Sequence, residues 1–216
     1  MLLALEYFAV NDLKTESVPI MVEQSLRGAM FTVGHSDRTL DAFLALLESQ
    51  AINRLIDVRT VPRSRHNPQF NRESLPGALG AVAIQYTHCE GLGGFRRTSL
   101  RSANTGWRNT SFRGYADYMQ TQPFADNLNA LITVAGHERV ALMCAEAVPW
   151  RCHRSLIADA LTVHGLRVDE IVSTRRCQTH VLTPFAHVAG LSITYPPALD
   201  ISTKTPVTAH PPKDRV

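Results

Sequence analysis

The chain has 216 residues, of which 44% are hydrophobic and 19% charged, and a formal net charge of +3. That length fits one domain, or one domain with tails, with enough apolar residues for a sizeable core. The charge is too small for a general polyanion binder, and the absence of any run of about 18 apolar residues argues against a membrane span.

The first residues have neither the basic start nor the apolar stretch of a secretion signal. The four cysteines, Cys89, Cys144, Cys152 and Cys177, contain no CxxC pair of the structural zinc type. A reduced, cytoplasmic protein is the expectation.

Residues 1–29 carry no clear periodicity and read as an N-terminal extension. Phe31 to Val33 reads as a short buried strand ending at Gly34-His35-Ser36. Thr39 is a candidate N-cap, and Leu40, Phe43, Leu44, Leu46 and Leu47 follow at helical spacing. Ile52 to Val58 reads as a second strand, followed by a loop rich in Pro and Arg, in which Asn71 caps a short helix from Arg72. Val82 to Tyr86 reads as a third strand.

Residues 89–112 form a long segment rich in Gly, Arg, Ser, Thr and Asn, a length that in a compact domain is functional or disordered. Tyr115 to Met119 and Phe124 to Ala135 read as helices, and Val140 to Cys144 as a fourth strand. A helix opens near Pro149, runs over Arg151 to His164 and stops at Gly165; Val168 to Val172 reads as a fifth strand. Residues 197–216, Pro/Thr-rich from about Lys204, read as a disordered tail.

This alternation predicts an α/β fold over residues 30–196: three layers, α/β/α, around a mostly parallel sheet of about five strands with Rossmann-like topology. If the strand order is 3-2-1-4-5, a crevice opens between the first and fourth strands, where ligands bind in such sheets. His35 and Ser36 would flank it on one side, Cys144 and Glu146 on the other. Arg59, Arg63 and Arg65 would reach it from the loop after the second strand, and Cys152, His153 and Arg154 from the start of a helix. Counting back four residues from Leu156 and Ile157 puts Cys152 and His153 on the apolar, sheet-facing stripe.

A thiol at a strand end beside a helix N-terminus has the surroundings that favour thiolate. The segment from Arg54 to Arg113 holds many arginines, few acids and no lysine, and arginine forks planar oxyanions as lysine cannot. The phosphatase loop is absent, since six residues rather than five separate Cys144 from Arg151. The Gly-rich nucleotide, Walker, GxSxG and HExxH motifs are absent as well.

Taken together, Thr32-Val-Gly-His-Ser36, Asp57-Val-Arg-Thr-Val-Pro-Arg-Ser-Arg65, Phe70-Asn71, Leu92-Gly-Gly94, Tyr115-Ala-Asp-Tyr-Met119, Leu142-Met-Cys-Ala-Glu146 and Cys152-His-Arg154 resemble the family called domain of unknown function 488. Tyr86 and the stretch Thr179 to Ala186 extend the likeness, which covers about residues 31–196. The resemblance implies a compact α/β fold and one shared site built from His35, Ser36, Arg59, Arg63, Arg65, Cys144, Glu146, Cys152, His153 and Arg154. It implies no reaction.

The leading expectation is an enzyme, open between hydrolase and transferase, that acts on an anionic substrate bearing phosphate, of nucleotide or nucleic-acid type. In it Cys144 is the nucleophile, Glu146 and His153 handle protons, and His35, Ser36, Arg59, Arg63, Arg65, Cys152 and Arg154 hold the substrate. One alternative is a nucleic-acid-binding module without catalysis, with Phe70, Tyr86, Phe95, Trp107 and Phe112 stacking on bases among the arginines. Another is a metal site drawn from Cys144, Glu146, Cys152, His153 and His35, although the spacing matches no closed structural site. The residues name no cofactor, no membrane partner and no oligomeric state.

Overall fold

The computed structural model describes residues 30–197. The expected extension at residues 1–29 and the tail from residue 198 lie outside the described residues. Strands β1 (Met30–Gly34), β2 (Arg54–Asp57), β3 (Gln85–His88), β4 (Val140–Cys144), β5 (Val168–Ser173) and β6 (Arg176–Thr179) form one sheet. Its order is β3-β2-β4-β1-β5-β6, parallel throughout except for the antiparallel β5–β6 edge. Helices α1 (Leu40–Ser49), α2 (Leu75–Ala81), α3 (Thr110–Tyr118), α4 (Gln122–Ala135) and α5 (Arg154–Val163) connect the strands, and a small hairpin of β7 (His187–Ala189) and β8 (Ser192–Thr194) follows.

Alternate residues of each strand face two separate cores. Phe31, Val33, Leu55, Ala141 and Met143 pack against Phe43 and Leu47 of α1 and Leu75 and Leu79 of α2. Met30, Ile56, Val140, Leu142 and Cys144 pack against Tyr115 of α3, Phe124 and Leu128 of α4, and Leu156 and Ile157 of α5. Each large apolar side chain so buried contributes about 1.5–3 kcal/mol over an exposed one. The expected three-layer α/β/α architecture follows directly.

The strand order corrects the 3-2-1-4-5 arrangement: β4, not β1, lies beside β2. Both β1 and β4 are buried along their whole length, so their apolar patterns do not decide which takes that seat. The crevice between them survives the exchange. The chain leaves β1 toward β2 and leaves β4 toward β5, in opposite directions over neighbouring strand ends.

Several element boundaries move: the second strand, expected over 52–58, is Arg54–Asp57, and the helix expected from Tyr115 begins at Thr110. Thr39 caps α1 as expected, its Oγ1 accepting from Ala42 N at 3.3 Å. Asn71, however, turns its side chain to accept from Ser64 N at 2.6 Å, and the regular helix begins only at Leu75. The third strand starts at Gln85 because Val82 closes α2 and Ala83 turns through φ 58°. The helix expected over Arg151 to His164 is split: a short 3₁₀ turn, Pro149–Arg151, is separated from α5 by Cys152, whose backbone is extended at φ −131°, ψ 142°. β6, β7 and β8 have no counterpart among the expected strands.

The close of β1 depends on one missing side chain. A Cβ built on Gly34 would lie 1.8 Å from the carbonyl oxygen of Glu146, a backbone atom that cannot swing aside. Gly77, within α2, would meet nothing within 4 Å. Gly34→Ala is expected to lower the free energy of unfolding by about 1–3 kcal/mol or more, whereas Gly77→Ala raises it by about 0.5–1 kcal/mol through helix propensity. Urea denaturation of the two variants measures both, and equal effects would contradict this account of the β1–β4 junction.

Candidate active site

β1 and β4 end side by side, with Gly34 in register with Cys144. Their outgoing loops are tied together: His35 N donates to Cys144 O and Ser36 N to Ala145 O, each at 3.0 Å. Ser36 takes a left-handed φ of 50° to make this turn, an uncommon conformation for a residue with a side chain. Above the strand ends lies a cleft of about 820 Å³. Its walls come from the loops after β1, β2 and β4, from Gly94 and Phe95, and from the start of α3 at Asn109 and Ser111.

Cys144, only 2% exposed, lies at the floor of the cleft. Its Sγ receives Nη1 of Arg154 at 2.8 Å and the Sγ of Cys152 at 2.7 Å. Burial alone would push the Cys144 thiol up, but the Cys152 hydrogen bond, the Arg154 charge and the Glu146 main chain outweigh it and bring the thiol below its ordinary value. Cys152 is the donor in this hydrogen bond, and its thiol is held well above its ordinary value by the bond to Cys144 and by burial. Cys152, which closes the Pro149–Arg151 turn, also accepts from Arg154 N through its Sγ at 3.4 Å.

Arg154 is fully buried. Besides Cys144 it donates from Nη1 to Val33 O at 2.9 Å and Glu146 O at 3.2 Å, and from Nη2 to Glu170 Oε1 at 2.8 Å. Glu170 in turn accepts from Thr32 Oγ1. Burial raises the Glu170 carboxyl despite the pull of Arg154.

The two histidines are fixed by their partners. His153 Nε2 lies 3.0 Å from Val58 O; it must donate there, which leaves Nδ1 as an acceptor 3.5 Å from Cys152 Sγ. Burial brings the His153 pKa down to about 4, so the ring is neutral near pH 7. A Cβ on Gly94 would lie 2.6 Å from this Nδ1, so glycine lets the loop close over the ring. His35 is stacked on Phe70 with centroids 4.3 Å apart. Its Nδ1 donates to Ser36 O at 2.8 Å and its Nε2 accepts from Arg59 Nη1 at 3.2 Å; burial lowers its pKa to about 4 as well.

The remaining residues expected at the site divide into wall and rim. Arg59 spends its donors inside the protein, on both carboxylate oxygens of Asp57 at 2.8 and 2.6 Å and on Phe70 O at 2.7 Å. Arg59 N also donates to Asp57 at 3.1 Å, and Tyr86 Oη adds a fourth bond to that carboxylate at 2.8 Å. Arg63 is exposed on the rim, within 3.6 Å of Glu73. Ser36 lines the cleft and donates to Asp37 at 3.0 Å. Glu146 lines it with an exposed side chain, while its main-chain carbonyl serves Arg154. Arg65 is exposed and lies off the cleft lining, and Arg154 lies behind it.

Sequence reasoning missed Glu170 and Thr32, which act across the sheet from β5 and β1, and Arg151, Asn109 and Ser111 on the rim. Arg151 could have been found from its place two residues before His153; nothing in the local pattern marks the others. Among the described residues no group of three or more His, Cys, Asp or Glu side chains is arranged to hold a metal ion, and no helix is long and apolar enough to cross a membrane.

A model of the family described as domain of unknown function DUF488 matches residues 39–161. The match takes in every expected site residue except His35 and Ser36, which precede it. No curated protein and no solved structure matches the chain.

Both imidazoles have a folded-state pKa of about 4 against an ordinary 6.5. Between those values the unfolded chain binds more protons than the folded one, so stability falls as pH drops from 6.5 toward 4 and is unaffected by these groups above 6.5. His35→Gln removes one of the two titrations, and the variant is expected to keep more of its neutral-pH stability at pH 4.5 than the parent does. Denaturation midpoints of both proteins at pH 7 and 4.5 check this; identical losses would show that His35 is not one of the groups responsible.

Proposed function

The chain belongs to the DUF488 family, whose name carries no reaction, and from its own cleft we propose an enzyme that uses Cys144 as a nucleophile on an anionic, phosphate-bearing substrate. The observation that supports this most is the pair of donors on one sulfur: Cys152 at 2.7 Å and Arg154 at 2.8 Å both favour thiolate at Cys144. A buried thiol without such partners is an inert apolar residue.

The thiolate forms a bond to the electrophilic atom of the substrate, and the bond to the leaving group breaks. The leaving group takes up the proton that Cys152 holds, and the neutral His153 Nδ1 lies next in line to Cys152. Water releases the covalent adduct in a hydrolase, and a second acceptor does so in a transferase. Arg63 and Arg151 stand on the rim where an anion enters, and the start of α3 adds a helix N-terminus to the same wall. Arg59 holds His35 and the wall in place, since Asp57 already neutralises its charge. With the Glu146 carboxylate out on the rim, the proton-handling role passes from it to Cys152 and His153.

Reduced protein is expected to react with iodoacetamide at Cys144 faster than at Cys89 or Cys177 at pH 7, and Cys144→Ser abolishes that reaction. Arg154→Met moves the titration of Cys144 to higher pH. Its labelling at neutral pH then slows, about tenfold for every pH unit by which the titration moves, and recovers at alkaline pH. Inorganic phosphate or a nucleoside monophosphate slows labelling of the parent. Labelling that ignores pH and Arg154 would sink the nucleophile, and indifference to every phosphate compound would sink the substrate class.

A further inference from the structure

We propose that Cys144 and Cys152 form a redox pair: a hydroperoxide oxidises Cys144, and Cys152 closes the product to an internal disulfide that removes the nucleophile from the cleft. This inference rests on the reading of Cys144 as a thiolate.

The geometry brings the two sulfurs together at the floor of the same cleft, 2.7 Å apart, with both residues nearly inaccessible. That separation exceeds a disulfide bond by only about 0.7 Å. The approach needs no helical bond to break, because Cys152 occupies the extended break between the Pro149–Arg151 turn and α5. Its backbone N–H donates back to Pro149 O at 2.9 Å. Arg154 would keep Glu170, Val33 O and Glu146 O as partners once the thiolate is gone, so bridging strands no buried charge.

The other two thiols lack this arrangement. Cys89 Sγ donates to Asn127 Oδ1 at 3.6 Å, and burial holds the thiols of both Cys89 and Cys177 above their ordinary value. Both are free cysteines, and they serve as internal controls in the same chain.

The chemistry balances without a cofactor. The Cys144 thiolate attacks the terminal oxygen of ROOH; an S–O bond forms, the O–O bond breaks, and RO⁻ leaves. RO⁻ takes the proton from the Cys152 thiol, which gives ROH, a sulfenic acid on Cys144 and a new thiolate on Cys152. That thiolate attacks Cys144 Sγ; the S–S bond forms, the S–O bond breaks, and hydroxide departs. Two electrons have moved from the two sulfurs to the peroxide, and an external dithiol can return them.

The test treats the full chain with hydrogen peroxide, alkylates it, digests it and maps the peptides. The expected product is a Cys144–Cys152 linked peptide lacking two hydrogens, with loss of iodoacetamide labelling at Cys144. Dithiothreitol restores both, while Cys89 and Cys177 stay free. Cys152→Ser, which keeps an acceptor for Arg154 N, is expected to stop at a Cys144 sulfenic acid that dimedone traps. Oxidation of wild type that ends at the sulfenic acid or beyond, with no linked peptide, overturns the pair. So does oxidation of Cys89 or Cys177 as fast as of Cys144. If reduced Cys144 still labels with its own pH profile in that case, the nucleophile reading stands and the pair alone fails; if reduced Cys144 does not label at all, the earlier reading has failed.

Discussion

Everything at the floor of the cleft depends on one buried guanidinium. Arg154 comes from the first residue of α5, yet it reaches β1 through Val33 O, the loop after β4 through Glu146 O and β5 through Glu170. A cation in so dry a place is costly unless it is paired; here two carbonyls, a carboxylate and a sulfur answer Nη1 and Nη2, while Nε is buried without a partner among the described residues. The sulfur is where structure turns into chemistry: the same charge that stitches three central elements together is the one that makes a thiolate tolerable at Cys144. A substitution that loosens the stitching therefore alters the sulfur as well.

Much of this is written in local pattern. The apolar run Val140 to Cys144, ended by a loop and then the periodic stripe of Leu156, Ile157, Ala160 and Leu161, points to a site over the strand end, although Cys152 reaches it through an extended link and not through the helical count. The turn at His35 and Ser36 is visible for the same reason, since a short apolar strand stops there. Strand order is a different kind of fact. β1 and β4 are both short and buried along their whole length, and which one neighbours β2 is a long-range outcome with no short-range trace. The late strands are missed because β7 and the edge of β6 are largely exposed and lack the alternation that betrays a half-buried strand.

The arginines show where composition misleads. Their density from Arg54 to Arg113 looks like one anion-binding field, but the folded chain assigns them unlike duties. Arg59 is locked against Asp57 in the wall, Arg54 is paired with Glu138 at 2.6 Å at the far end of β2, and Arg96 lies over the Tyr118 ring at 3.8 Å. Arg63 and Arg151, on the rim, line the cleft. Charge counts along a sequence do not reveal which cations already have a partner, because the partners are distant in the chain.

The long segment between β3 and α3 is held from inside by one carboxylate. Asp117 accepts from Ser99 N at 2.8 Å, Ser102 Oγ at 2.6 Å and Asn104 Nδ2 at 2.8 Å, and Asn104 Oδ1 then accepts from Tyr195 N at 2.9 Å. The post lies behind the cleft and anchors the segment between its lining residues Phe95 and Asn109. If a ligand binds in the cleft, a segment anchored in this way has less to order on its arrival, which lowers the cost of association. Selection then falls to the contour of the mouth, and Phe95, exposed on the cleft lining and away from the post, can change that contour while the frame beneath stays as it is.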